Sequence, residues 1–120
     1  MEYLVREALK RREIFDNLDK YLCRIHKLLV KLDPFIKDYL FGSVAENRYV
    51  YSSDIDILVV TNLKPGQVIS YLWKNGIEDP FEIHVITQEL LLLYENRGKL
   101  ISLEEYCRDT RLNNKSLDKQ

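Results

Sequence analysis

The segment Ser53-Asp54-Ile55-Asp56-Ile57-Leu58-Val59-Val60 constrains this chain more than any other. It is rich in β-branched residues, begins polar and ends apolar, and reads as a strand over Asp54 to Val60. Side chains alternate across a strand, so Asp54 and Asp56 project from one face, about 6–7 Å apart along the backbone. Two carboxylates on one face of a rigid strand can hold one or two Mg²⁺ ions, which in turn recruit phosphate oxygens. Upstream, Gly42-Ser43 follows a short apolar run, Tyr39-Leu40-Phe41. A glycine there lets backbone N–H groups approach a phosphate, and the serine adds a hydroxyl.

The rest of the chain is built around that strand. Residues 1–32 contain neither Gly nor Pro, and their apolar positions step by three and four. This periodicity predicts an amphipathic helix, or two in succession, ended by Asp33-Pro34. Its apolar stripe is longer than a small sheet needs for cover, so part of it is expected to face a partner. Phe35 to Phe41 reads as a lead-in and a short strand, and 42–53 as a loop opening on a helical turn. Pro65 starts a helix that Gly76 closes. Phe81 to Thr87 is a third strand, and Thr87 caps a helix over Gln88 to Asn96. Ser102 and Glu105 have capping-box spacing for a last short helix. The expectation is a single α/β (α+β) domain over residues 1–110, a small mixed sheet flanked by helices, with a polar, frayed tail over 111–120.

With 120 residues there is room for one core but not for a separate acceptor-binding domain. The formal net charge of -1 gives no general nucleic-acid binder, so a nucleic acid is possible as acceptor but not indicated by charge. Cys23 and Cys107 have no metal-ligand spacing and read as reduced, partly buried thiols. No apolar run reaches membrane-spanning length. The N-terminus carries Glu7 and Glu13 among its basic residues, unlike a signal or transit peptide, and a cytoplasmic location is expected.

Gly42-Ser43-Val44-Ala45 followed by Ser53-Asp54-Ile55-Asp56 closely resembles the signature of the polymerase-β-like nucleotidyltransferase superfamily, in particular its minimal stand-alone form. The resemblance covers Tyr39 to Val60 and extends to about Thr87 with a third carboxylate. It implies that fold, Mg²⁺ as cofactor, and transfer of a nucleoside monophosphate, AMP from ATP, to an acceptor hydroxyl with release of pyrophosphate. Asp54 and Asp56 would ligate metal and act in catalysis. Gly42, Ser43 and Ser53 would bind the nucleotide. Members often carry a basic residue and Gly where this chain has Glu46-Asn47. Asn47 suits a left-handed backbone, and Arg48 would return the lost positive charge to the nucleotide site. The resemblance also implies a helical HEPN-type partner, as in toxin–antitoxin pairs and two-subunit transferases, and the surplus apolar stripe of the N-terminal segment fits such a partner or self-association. The alternative function is a non-catalytic antitoxin-type module that sequesters such a partner.

The third acid is expected near the start of the third strand, where Glu82 is chosen over Glu78 and Asp79 as catalytic residue and metal ligand. His84 shares its face. It is read as a hydrogen-bonded histidine on a partly buried sheet, the alternative being contact with substrate or a carboxylate. His26 reads as a surface or interface residue. Tyr49 and Tyr51 read as packing the loop, with base stacking or nucleotidyl acceptance as alternatives.

Overall fold

The computed structural model describes residues 2–108. The expected frayed tail, 111–120, lies outside them. Two helices, α1 (Glu2–Asp16) and α2 (Leu18–Leu32), divide the N-terminal segment. Asn17 breaks them, its side-chain amide donating to the Glu13 carbonyl at 2.9 Å. There follow β1 (Lys37–Phe41), the single turn α3 (Gly42–Ala45), β2 (Ile55–Val60), α4 (Pro65–Lys74), β3 (Phe81–Ile86), α5 (Gln88–Arg97) and β4 (Ile101–Ser102). Helical backbone resumes over 103–108.

The four strands form one mixed sheet in the order β3-β2-β1-β4. β1 is antiparallel to both β2 and β4, whereas β2 and β3 run parallel, joined through α4. The two-residue β4 was not anticipated. Ile101 and Ser102 lack the four-residue alternation by which a strand is recognised, and pairing with Leu40 and Tyr39 defines them.

Alternation along the strands divides the core. Ile55, Ile57 and Val59 of β2 join Leu40 of β1 and Phe81 of β3 against Ile14, Phe15, Leu22, Ile25, Leu29, Val68 and Leu72 from α1, α2 and α4. On the opposite face Leu58, Val60 and Ile86 meet Leu91 of α5, with Tyr39, Phe41 and Tyr94 around them. Burial on this scale contributes about 25 cal/mol per Å² of apolar surface, which makes the larger layer the main source of stability. Asp56, Glu82 and His84 fall on the α5 face by the same parity.

The thiol expectation is corrected. Cys23 on α2 and Cys107 on the last helical segment form a disulfide, with their Cα atoms 5.5 Å apart. Both lie on helices 84 positions apart in sequence, and only the folding of both onto β1's flank brings them together. No helix among the described residues is long and apolar enough to cross a membrane.

Candidate active site

β2 and β3 are in parallel register with Asp56 beside Glu82 and Leu58 beside His84. Neighbouring strands lie about 5 Å apart, so residues in register on one face must meet. One ligand atom each from Asp56, Glu82 and His84 lies within 4.8 Å of the others. His84 Nε2 is 3.2 Å from Asp56 Oδ1 and 3.6 Å from Glu82 Oε1. Asp56 is the most enclosed of the three, while Glu82 remains half exposed. Two hard carboxylate oxygens suit Mg²⁺ or Mn²⁺, and the imidazole extends the range toward transition metals. The donor set fits a divalent cation.

Gly42 is essential to this geometry. Phe41 pairs with Asp56 across β1 and β2, which brings the Asp56 carboxylate against the next residue. A Cβ on Gly42 would come within 2.5 Å of Asp56 Oδ2, and Gly42 has a left-handed φ of 78°. Both the close approach and the backbone angle require glycine. Ser43 follows on α3, half buried.

The other expected residues are placed as follows. Asp54 precedes β2 and is exposed, its Oδ1 3.6 Å from Arg11 of α1, and it stands outside the three-residue cluster. The Ser53 hydroxyl accepts from the Val50 N–H at 3.1 Å and so closes the turn before the strand. Arg48 donates to Glu46 at 3.3 Å. Asn47 adopts the left-handed φ of 57°. Tyr49 stacks on Phe15 at 5.1 Å and Tyr51 meets the same ring edge-on, so both pack the loop onto α1. Glu78 bonds Lys10 and Trp73, and Asp79 bonds Arg11, which takes both away from the cluster.

His84 is both things the sequence left open. It is hydrogen-bonded on a partly buried face, and its partner is the Asp56 carboxylate. Its even spacing from Glu82 was the available signal. Arg11 had none. It lies 42 residues from Ser53, whose carbonyl accepts from it at 2.9 Å, and 68 residues from Asp79. A cavity of about 840 Å³ lies at the α1–α2 junction against Tyr49 and Tyr106. The acids are instead near the starts of β2 and β3, on the α5 side of the sheet.

The model of the nucleotidyltransferase domain family matches residues 22–117. The chain belongs to that family. This nucleotidyltransferase is of the minimal kind within the polymerase-β-like superfamily. It is similar to a crystal structure of a protein proposed to be a nucleotidyltransferase. The two share 24% identity with a TM-score of 0.54, over 66% of this chain and 92% of the other. A second crystal structure, of a proposed nucleotidyltransferase from Sulfolobus solfataricus, gives 22% identity and a TM-score of 0.54 over 79% of this chain and 84% of that one. Both likenesses concern the fold. No curated protein matches the chain. The family match starts within α2, so α1, with Arg11, precedes it.

Proposed function

We propose that this nucleotidyltransferase transfers AMP from ATP to an acceptor hydroxyl, with Mg²⁺ as cofactor. The observation that carries the reading is the Asp56–Glu82 pair, in register on adjacent strands and set against a glycine that makes room for it. Asp56 and Glu82 would hold the cation, with His84 beside them and Asp54 joining from the strand entrance. When bound, the cation supplies positive charge to the polyphosphate and to the leaving group.

The chain's own residues do the rest. Asp56 Oδ1 accepts from His84 Nε2 at 3.2 Å, which fixes the orientation of that carboxylate. Gly42 and Ser43 bring backbone N–H and hydroxyl groups to the phosphates. Glu82, half exposed, takes the proton from the acceptor hydroxyl. The acceptor oxygen forms a bond to the α-phosphorus, the bond from that phosphorus to the β-bridging oxygen breaks, and pyrophosphate leaves. Positioning and charge stabilisation dominate such a reaction.

The acceptor belongs to a helical HEPN-type partner. Tyr3, Leu4, Val5 and Leu9 of α1 are each more than half exposed, an apolar surface that supports docking of a second protein. The same surface favours a second reading, sequestration of that partner without chemistry. ATP labelled at the α-phosphate, supplied with Mg²⁺ and the partner, separates the two. Transfer of label that Asp56→Asn abolishes, with the complex intact, is the expected result. A stable wild-type complex that acquires no label leaves sequestration.

A further inference from the structure

Glu46 places a negative charge beside the expected phosphate site, and Arg48 on the same loop is turned onto it at 3.3 Å. That pair leaves the loop with no net positive charge to offer a polyphosphate. Cations come from elsewhere. A depression of about 120 Å³ opens beside Gly42, and its wall includes Glu46, Tyr94, Arg97, Gly98 and Lys99. The segment 97–99 closes over the loop so tightly that a Cβ on Gly98 would stand 3.2 Å from the Glu46 carboxylate.

A chain of edge-on ring contacts joins this depression to the acid cluster. His84, which bonds Asp56, meets Phe41 edge-on at 4.9 Å, and Phe41 meets Tyr94 edge-on at 5.6 Å. The Arg97 guanidinium lies over the Tyr94 ring, 5.7 Å from its centre. An arginine held on an aromatic face keeps its outward N–H groups for an anion. Gly42 therefore adjoins the Asp56 carboxylate and also lines the depression together with Arg97 and Lys99. A polyphosphate with its α-phosphate at the acids would have these two cations within the same neighbourhood of Gly42.

We propose that Arg97 and Lys99, at the end of α5 and the turn into β4, bind the terminal phosphates of the nucleoside triphosphate in the depression beside Gly42. This rests on the nucleotidyl-transfer reading of the Asp56 site. It makes the site selective for triphosphates and pyrophosphate over monophosphates, because only the longer anions reach across Gly42. Both side chains are exposed, so alanine at either position leaves the core intact.

Titration calorimetry with ATP, pyrophosphate and AMP as separate probes tests it, on wild type, Arg97→Ala, Lys99→Ala and the double variant, all in Mg²⁺ buffer. A charge-assisted phosphate contact corresponds to roughly tenfold in affinity. Each single change should weaken ATP and pyrophosphate by about that factor, and the double change by on the order of a hundredfold. AMP should change by less than about threefold. Equal ATP affinity in the double variant and wild type overturns the proposal, as does an equal loss for AMP. If Asp56→Asn abolishes label transfer while the double variant binds ATP normally, the nucleotidyl-transfer reading stands and this inference falls. If pyrophosphate binding depends on Arg97 and Lys99 but no transfer occurs, the phosphate site stands and the reaction falls.

Discussion

Gly42 couples backbone conformation to the placement of a carboxylate. Gly42→Ala imposes a left-handed angle on an L-residue and drives a methyl into Asp56, whose carboxylate must swing away. The expected cost is about 1–2 kcal/mol in urea denaturation, with a far larger loss of nucleotidyl transfer. Retained transfer in that variant would show that Asp56 can work from another position. A second residue-scale pair lies on the opposite face. Asp38 is buried on β1, and His26 of α2 bonds both its oxygens at 2.9 and 3.0 Å. Burial raises the Asp38 carboxyl above its ordinary value against the opposing His26 hydrogen bond, and nearby Glu104 pushes the same way as burial. The folded state thus holds this proton to a higher pH than the unfolded chain does. Asp38's contribution to stability is complete below the ordinary carboxylate value and shrinks as pH rises through the raised folded value. The stability of wild type relative to Asp38→Asn should therefore decline on going from pH 4 to pH 7. A difference that stays flat with pH would mean the burial effect is fully cancelled by His26.

At the scale of elements, α1 is held to the domain by its last turns and by polar clamps rather than by a full apolar face. Only Ile14 and Phe15 of this helix are buried. Arg11 donates to the Ser53 carbonyl and to Asp79, and Lys10 pairs with Glu78. Arg11 thereby ties α1 to the residues that lead into β2 and β3, the two strands that carry the acids. Arg11→Ala should cost about 1.5–3 kcal/mol, since a charged group bonds a partly buried carbonyl. Amide hydrogen exchange should quicken in α1 and in 51–54 while α4 stays protected. Unchanged exchange in 51–54 would show that the turn closed by Ser53 is rigid without its clamp.

Across the whole molecule the Cys23–Cys107 disulfide ties α2 to the helical segment after β4. It closes a loop of 84 residues that contains the whole sheet. In the chain-entropy account a loop of that length stabilises by about 4–5 kcal/mol. Reductant, or Cys23→Ser, should lower the urea midpoint clearly, and an unmoved midpoint would show that packing of Leu103 and Tyr106 suffices to hold the segment. The exposed apolar residues of α1 carry a further expectation at this scale. Leu4→Glu/Leu9→Glu should release a bound helical partner, or dissociate a self-associated form, while leaving the melting temperature within about 2 °C, because neither side chain is in the core. A complex that survives both charges would place the interface elsewhere.

Most of the elements were legible in local sequence, β4 excepted. Local rules sufficed there: period-two alternation for β2 and β3, three-four stepping for α2, Pro65 and Gly76 as the bounds of α4, and left-handed backbone at Asn47. Asp56 was legible from its i, i+2 spacing to Asp54 after Gly42-Ser43, and Glu82 from its place near the start of the third strand. Their adjacency was not legible, since parallel register is set by how α4 packs between two strands 26 positions apart. Tertiary structure also decided that Asp54 lies against Arg11 while His84 joins Asp56, that Arg48 is spent on Glu46, and that the two cysteines meet. Each of these contacts links elements, or turns one side chain onto another, and local periodicity carries no information about either. The burial of the core chooses the arrangement, and the polar residues follow the backbone to wherever it takes them.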